Sequence, residues 1–174
     1  MLSKDELVEL ITKDIDSFNK EILNSEGVDL SETDFSGLNI EGAEFVNVDL
    51  TSSSFADSHL ISVKFDDCDL TSVDFTRANL VECLFNNSVL NGTDFSYSTI
   101  DYCNFNESDM AGSILQGADL TNSDMSMAEN LNASRFDEET IWPDNEYLPE
   151  EFDTTCSSDL SSLKDDDDYE PSDY

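Results

Sequence analysis

Val28-Asp29-Leu30-Ser31-Glu32 opens a run that ends at Met127, and through all of it a large apolar residue returns at every fifth position. The series begins Leu30, Phe35, Ile40, Phe45, Leu50 and closes with Phe105, Met110, Leu115, Leu120 and Met125. Two residues ahead of each stands a second inward candidate, such as Val28, Thr33, Ala43, Val63, Cys83 or Ser123, and all but Leu38 are small or β-branched. A spacing of five fits neither the helical repeat of about 3.6 residues nor the two-residue alternation of a strand. A fixed internal period signals stacked units, since no five-residue unit can bury its own side chain without neighbours. Phe also holds positions 35, 45, 55, 65, 75, 85, 95 and 105, with aliphatics between, which adds a period of ten. A four-sided coil of 20 residues per turn accounts for both periods. One pair of opposite walls then carries Phe and the other Leu or Ile, and the two interlock across a narrow bore.

The units Val28-Asp29-Leu30-Ser31-Glu32, Cys68-Asp69-Leu70-Thr71-Ser72, Ala78-Asn79-Leu80-Val81-Glu82 and Ala118-Asp119-Leu120-Thr121-Asn122 follow a small–Asp/Asn–Leu/Phe–X–X rule. In this the chain resembles the pentapeptide-repeat proteins, over residues 28–127 and more weakly as far as Phe136. The resemblance implies an all-β solenoid, a right-handed quadrilateral β-helix, of about five coils with an N-terminal α-helical cap. That shape hosts many functions, so it does not by itself name an activity.

Outward from the repeats the chain divides into a cap over 1–27, the solenoid over 28–136, a closing segment over 137–153 and an acidic tail over 154–174. Ser3 and Glu6 have the spacing of a capping box. Leu7, Leu10, Ile11, Ile15, Phe18 and Ile22 then give one apolar face, which predicts a helix over 3–23. A solenoid exposes its bore at each end, so this helix reads as a lid, with a partner-binding helix as the alternative. Phe18-Asn19 is similar to the aromatic–Asn pair that precedes the repeats in the family. After Met125 the register continues through Leu131 and Phe136 with one residue inserted. Thr140-Ile141-Trp142-Pro143 resembles the family's closing element, and Trp142, Tyr147, Leu148 and Phe152 are the candidate plug. The tail, rich in Ser and Asp, reads as disordered and either solubilises or occupies a basic groove.

The formal net charge is −34 over 174 residues. Residues 28–127 hold 18 Asp or Glu against Lys64 and Arg77, a net −16, and residues 137–174 contribute −14. This excludes direct contact with nucleic acid or an anionic membrane and favours a basic protein surface as partner. No apolar stretch approaches the roughly 20 residues of a membrane span, and no secretory pattern opens the chain, so the expected location is cytoplasmic. Five coils about 4.8 Å apart span roughly 24 Å. Duplex DNA of that length carries about 14 charges, close to the rod's own number. The first wall carries Asp29, Asp49, Asp69 and Asp109 in a column broken by Val89, with no base expected beside it. Stacked carboxylates repel, which invites a functional reason, and the resemblance supplies one in the topoisomerase-binding members of the family. The rod would act as a DNA mimic at the DNA site of a topoisomerase, nuclease or other DNA-handling enzyme. The same Asp position also suits turn amides, and a charged exterior blocks rod-to-rod association. A protein-interaction scaffold without mimicry therefore stands beside the first reading. Its candidate contact is an apolar patch of Ile61, Val81, Leu84 and Tyr102. The oligomeric state is open.

The sequence offers no enzyme. His59 is the single histidine, no nucleophile motif or Gly-rich phosphate loop accompanies it, and no cofactor or metal is expected. Of four cysteines, Cys68, Cys83 and Cys103 take the small inward position, as buried thiols or, for Cys83 and Cys103 one coil apart, as a bridge by distance.

Overall fold

Each pentapeptide forms one short extended segment and one corner, and the corners close the chain into a four-walled β-solenoid. The computed structural model describes residues 2–155. The acidic tail expected from 154 onward lies almost wholly outside them. Parallel pairing advances by one coil: Val28 faces Val48, Ile40 faces Leu60, and Phe45 faces Phe65. Three small parallel sheets result. β1 (Val28–Asp29) pairs with β4 (Val48–Asp49), and β3 (Glu44–Val46) with β6 (Lys64–Asp66). The third sheet stacks β2 (Asn39–Glu41), β5 (His59–Ile61), β7 (Asn79–Val81) and β8 (Thr99–Asp101). Isolated bridges continue the ladders along every wall, to Asp109↔Glu129 on the first and Asp119↔Ile141 on the third.

The fivefold residues point inward as the spacing requires. Every central side chain from Leu30 to Met125 is at most 2% exposed. Phe35, Phe55, Phe75 and Phe95 stack nearly parallel up one wall with centroids 4.7–5.1 Å apart, and Phe45, Phe65, Phe85 and Phe105 do so up the opposite wall at 4.8–5.1 Å, in offset rather than face-to-face stacks. The two columns meet edge-on across the bore, as at Phe75–Phe85, 6.0 Å and 89°. Both geometries suit the ring quadrupole. The small inward residues also bond the coil below: Thr93 Oγ1 donates to the Leu70 carbonyl and Ser123 Oγ to that of Ile100, each at 2.8 Å. Thr33 and Leu38, in the first coil, are only half-buried.

The single helix expected over 3–23 is two, α1 (Lys4–Lys13) and α2 (Ile15–Leu23). The break falls at Asp14, whose backbone leaves the helical region and whose carboxylate caps α2 by accepting the Ser17 amide. A straight helix of that length would run about 30 Å, whereas the walls it must cover face each other at about 10 Å. Folding back brings Leu7, Ile11, Phe18 and Ile22 together into the core. Phe18 meets Phe45 edge-on at 5.3 Å and so continues the aromatic column into the cap. Beside it Asn19 donates to the Gly42 carbonyl and accepts from the Glu44 amide, both at 2.9 Å, and completes the open edge of the first coil. The capping box at Ser3 and Glu6 is formed.

At the other end Asn130, left-handed at φ 55°, and a 3-10 turn over Leu131–Ala133 absorb the inserted residue. Pairing then shifts by one residue at Ile114↔Arg135 and, with a second extra residue before Ile141, by two at Asp119↔Ile141. Phe136, Trp142 and Phe152 form a ring cluster with centroids 5.0–5.9 Å apart, and Leu148 of the closing segment is buried. Tyr147, expected in this plug, is 41% exposed; its backbone, not its ring, serves the closure by accepting the Met125 amide.

Candidate partner-binding faces

The first wall stacks its acids in register. Asp29 pairs with Asp49, Asp49 with Asp69, Asp69 with Val89, Val89 with Asp109, and Asp109 with Glu129. Each aspartate accepts the amide two residues on through Oδ1: from Ser31 and Thr51 at 2.9 Å, Thr71 at 3.0 Å and Ala111 at 3.1 Å. This local bond is why Asp precedes the central residue: the carboxylate closes the turn that the corner needs. It also fixes the carboxylate's orientation. Among the described residues no hydrogen bond to these four engages Oδ2, which leaves one oxygen per rung for a partner.

The column is not wholly without a base. Lys4, at the start of α1, reaches Asp29 at 2.8 Å and also donates to the Ser31 carbonyl. Sequence spacing gave no sign of it, because the contact depends on how the helix pair docks. The Lys4 ammonium, followed by the Ser31 bonds, holds the Asp29 carboxyl down at about 2. Elsewhere among the described residues, ion pairs join Lys13 to Glu9, Lys64 to Glu44 and Arg77 to Asp57. All are at the surface, and the rod's charge is otherwise uncompensated at close range.

The second candidate, the apolar patch, is brought together only in part. Ile61 and Val81 pair directly in the third-wall sheet. Leu84 lies round the corner on the fourth wall, above Lys64. Ile61, Val81 and Leu84 are half-buried; Tyr102 is 62% exposed. His59 stands between Asn39 and Asn79 on the third wall, and no group of three metal ligands occurs among the described residues. Cys68, Cys83 and Cys103 are buried free thiols, so the bridge considered between Cys83 and Cys103 is not formed. The Cys83 amide instead donates to Cys103 Sγ at 3.3 Å. Burial pushes the Cys68 thiol up to about 12 and the Cys103 thiol up as well, which keeps both in the inert protonated form.

Two family models match the chain, "Pentapeptide repeat region" over residues 25–95 and "Pentapeptide repeats (8 copies)" over residues 88–126. This chain belongs to the pentapeptide-repeat family. Among solved structures, it is similar to the pentapeptide-repeat protein Rfr23 of the cyanobacterium Cyanothece 51142, with 18% identity, a TM-score of 0.32 and coverage of 67% of this chain and 86% of that one. A pentapeptide-repeat protein of the Arabidopsis thaliana thylakoid lumen gives 26%, 0.37, 56% and 68% for the same quantities. QnrB1, a plasmid-mediated fluoroquinolone resistance protein, gives 19%, 0.37, 63% and 56%. No curated protein sequence matches. Among the described residues no helix of this pentapeptide-repeat protein is long and apolar enough to cross a membrane.

The corners of this pentapeptide-repeat rod carry a feature that the apolar period hides. From Glu32 to Gly117 the second residue after each central one is left-handed, as is Gly27 in the same register, and its neighbour's amide often closes a turn, as Ser53 N–H does to the Leu50 carbonyl at 2.9 Å. That is the arrangement of a type II turn. All six glycines of the sequence sit at such corners. Their shared fivefold register was a legible signal. Tyr97 and Tyr102 occupy two consecutive corners with φ 59° and 54° and are 59% and 62% exposed, and Tyr97 was not among the expected site residues.

Proposed function

We propose that this protein is a non-catalytic, acidic protein-binding rod that occupies the DNA site of a DNA-binding or DNA-modifying protein as inhibitor or decoy. The observation that carries the reading is the first wall: carboxylates at Asp29, Asp49, Asp69 and Asp109 in one parallel ladder, each held by its own turn, with Glu129 next on the same ladder. Phosphates on a duplex are also a regular row of fixed negative charge, and a groove built for one accommodates the other at similar linear charge. Preorganised charge spares a partner the cost of ordering it.

The test is a pull-down at low salt followed by elution with duplex DNA. A nucleic-acid-handling protein that is released by DNA and by salt is the expected result. Replacing Asp49, Asp69 and Asp109 together by Asn should abolish that capture, because Asn keeps the turn-closing Oδ1 and loses only the charge. Recovery at low salt of no protein that handles nucleic acid would overturn the reading. The direct pairing of Ile61 with Val81 supports the second reading, a scaffold bound through the apolar patch. In that case Ile61→Asp with Val81→Asp breaks the complex and the Asn variant leaves it intact.

A further inference from the structure

We infer that the third-wall face bounded by Tyr97 and Tyr102 is a docking surface for arginine side chains of a partner protein. The inference rests on the reading of the rod as a binder of basic protein surfaces, not on DNA mimicry. Tyrosine at a left-handed corner is unfavourable, since only Gly, and to a degree Asn and Asp, adopt that conformation readily. The two tyrosines nevertheless flank a single strand, β8, and both present most of their surface to solvent. Tyr97 is held in place. Its ring lies on Gly117, where a Cβ would come within 2.6 Å of Cδ1 and 2.8 Å of Cε1. The ring is thus held along its Cδ1–Cε1 edge while most of its surface stays open. Arg77, one rung away on the same corner column, does not fill the space: its guanidinium is drawn off by a two-pronged bond to Asp57, 2.7 Å at each prong.

Between the two tyrosine corners, without either ring in its lining, the wall carries a depression of 280 Å³ lined by Thr99, Ile100, Asp101, Asp119, Thr121 and Asn122. Asn122 donates to Asp101 Oδ1 at 2.7 Å and Thr121 N–H to Asp119 Oδ1 at 3.1 Å, so both carboxylates are oriented. A planar cation that stacks on an aromatic face and forks to a carboxylate matches this set, and that cation is guanidinium rather than ammonium. The net charge of −34 selects a cationic occupant over an apolar one or a second copy of this equally acidic chain.

The experiment titrates the full chain at low salt with two labelled peptides, octa-arginine and octa-lysine, and follows fluorescence anisotropy. The wild type should bind the arginine peptide about five- to tenfold more tightly than the lysine peptide. Tyr97→Asn with Tyr102→Asn should bring that ratio close to one and leave lysine-peptide affinity unchanged, since Asn tolerates the left-handed corner and keeps the fold. Asp49→Asn with Asp69→Asn should weaken both peptides together and preserve the ratio. Equal binding of the two peptides by the wild type, or a ratio that survives loss of both tyrosines, overturns the inference and leaves the acidic-rod reading standing. Failure of both peptides to bind at low salt overturns both.

Discussion

The first and third walls face each other across one bore yet differ in how they are made. The third wall forms a four-stranded ladder, β2-β5-β7-β8, in which Ile61 and Val81 pair side by side. The first wall forms one two-residue pair, β1-β4, and beyond it only single bridges. Inside, the walls are alike: Leu70 on one and Leu80 on the other are both fully buried. The outward residues make the difference. An Asp that bonds the amide two residues on, as Asp49 and Asp69 do, pulls the chain into its turn early, whereas His59, Asn79 and Thr99 make no such bond among the described residues and lie in three-residue strands. The interior therefore dictates the coil and is indifferent to its covering. The exterior is left to vary, and one wall has become a row of oriented charge.

The largest break in that scheme is a hole in the shared bore. Phe75 lies between Phe55 and Phe95, each 5.1 Å away, with Phe65 and Phe85 edge-on. Phe75→Ala should cost about 3–5 kcal/mol in denaturant unfolding, because the rigid coils on either side cannot collapse into the space. Leu70→Ala and Leu80→Ala sharpen the comparison. Each should cost about 2–5 kcal/mol, and the two costs should agree within about 1 kcal/mol. A first-wall leucine much cheaper than its third-wall counterpart would mean that the covering does matter to the core.

The bore was legible in the sequence because burial there is periodic and binary: a residue every five positions either fits or does not. The column of Asp29, Asp49, Asp69 and Asp109 was legible for the same reason, as register fixes which residues stack. What escaped depends on docking or on backbone angles. The turn at Asp14 hides in a stretch whose apolar spacing runs on unbroken, although Asp14 and Ser17 have the spacing of a helix cap. Lys4 beside Asp29 needs the helix pair in place, 25 residues away in sequence. Tyr97 gains meaning only from Gly117 one coil on.

Corner glycines give a smaller effect. Gly117→Ala places a methyl 2.6 Å from the Tyr97 ring at φ +63°, while Gly42→Ala, at φ +69°, meets nothing within 4 Å. Both incur the left-handed penalty of about 1–2 kcal/mol. Gly117→Ala should cost measurably more in thermal unfolding, and adding Tyr97→Asn should remove the excess and leave Gly42→Ala unaffected. Equal costs at the two glycines would mean that the ring moves aside freely and is not held against the wall.

The smallest effect separates one rung of the charged wall from the next. Asp29 has Lys4 beside it; Asp49 has no cation within ion-pairing distance among the described residues. The folded Asp29 carboxyl is depressed to about 2, below the value of about 3.9 in an unfolded chain. Its contribution to stability is therefore present in full above pH 4, and it is lost as the pH falls through the folded value near 2. Asp29→Asn keeps the acceptor for Ser31 but loses the charge that Lys4 answers. It should unfold more easily than the wild type at pH 6, and the gap should close on acidification toward pH 2. Asp49→Asn keeps its turn as well and removes repulsion from Asp29 and Asp69, so at low ionic strength it should be neutral or slightly stabilising, with less gain in added salt. Denaturant curves at pH 6 and pH 2 read both variants. Loss of stability in Asp49→Asn at pH 6 would mean that the stacked carboxylates do not oppose folding, and the column would need no partner to account for it.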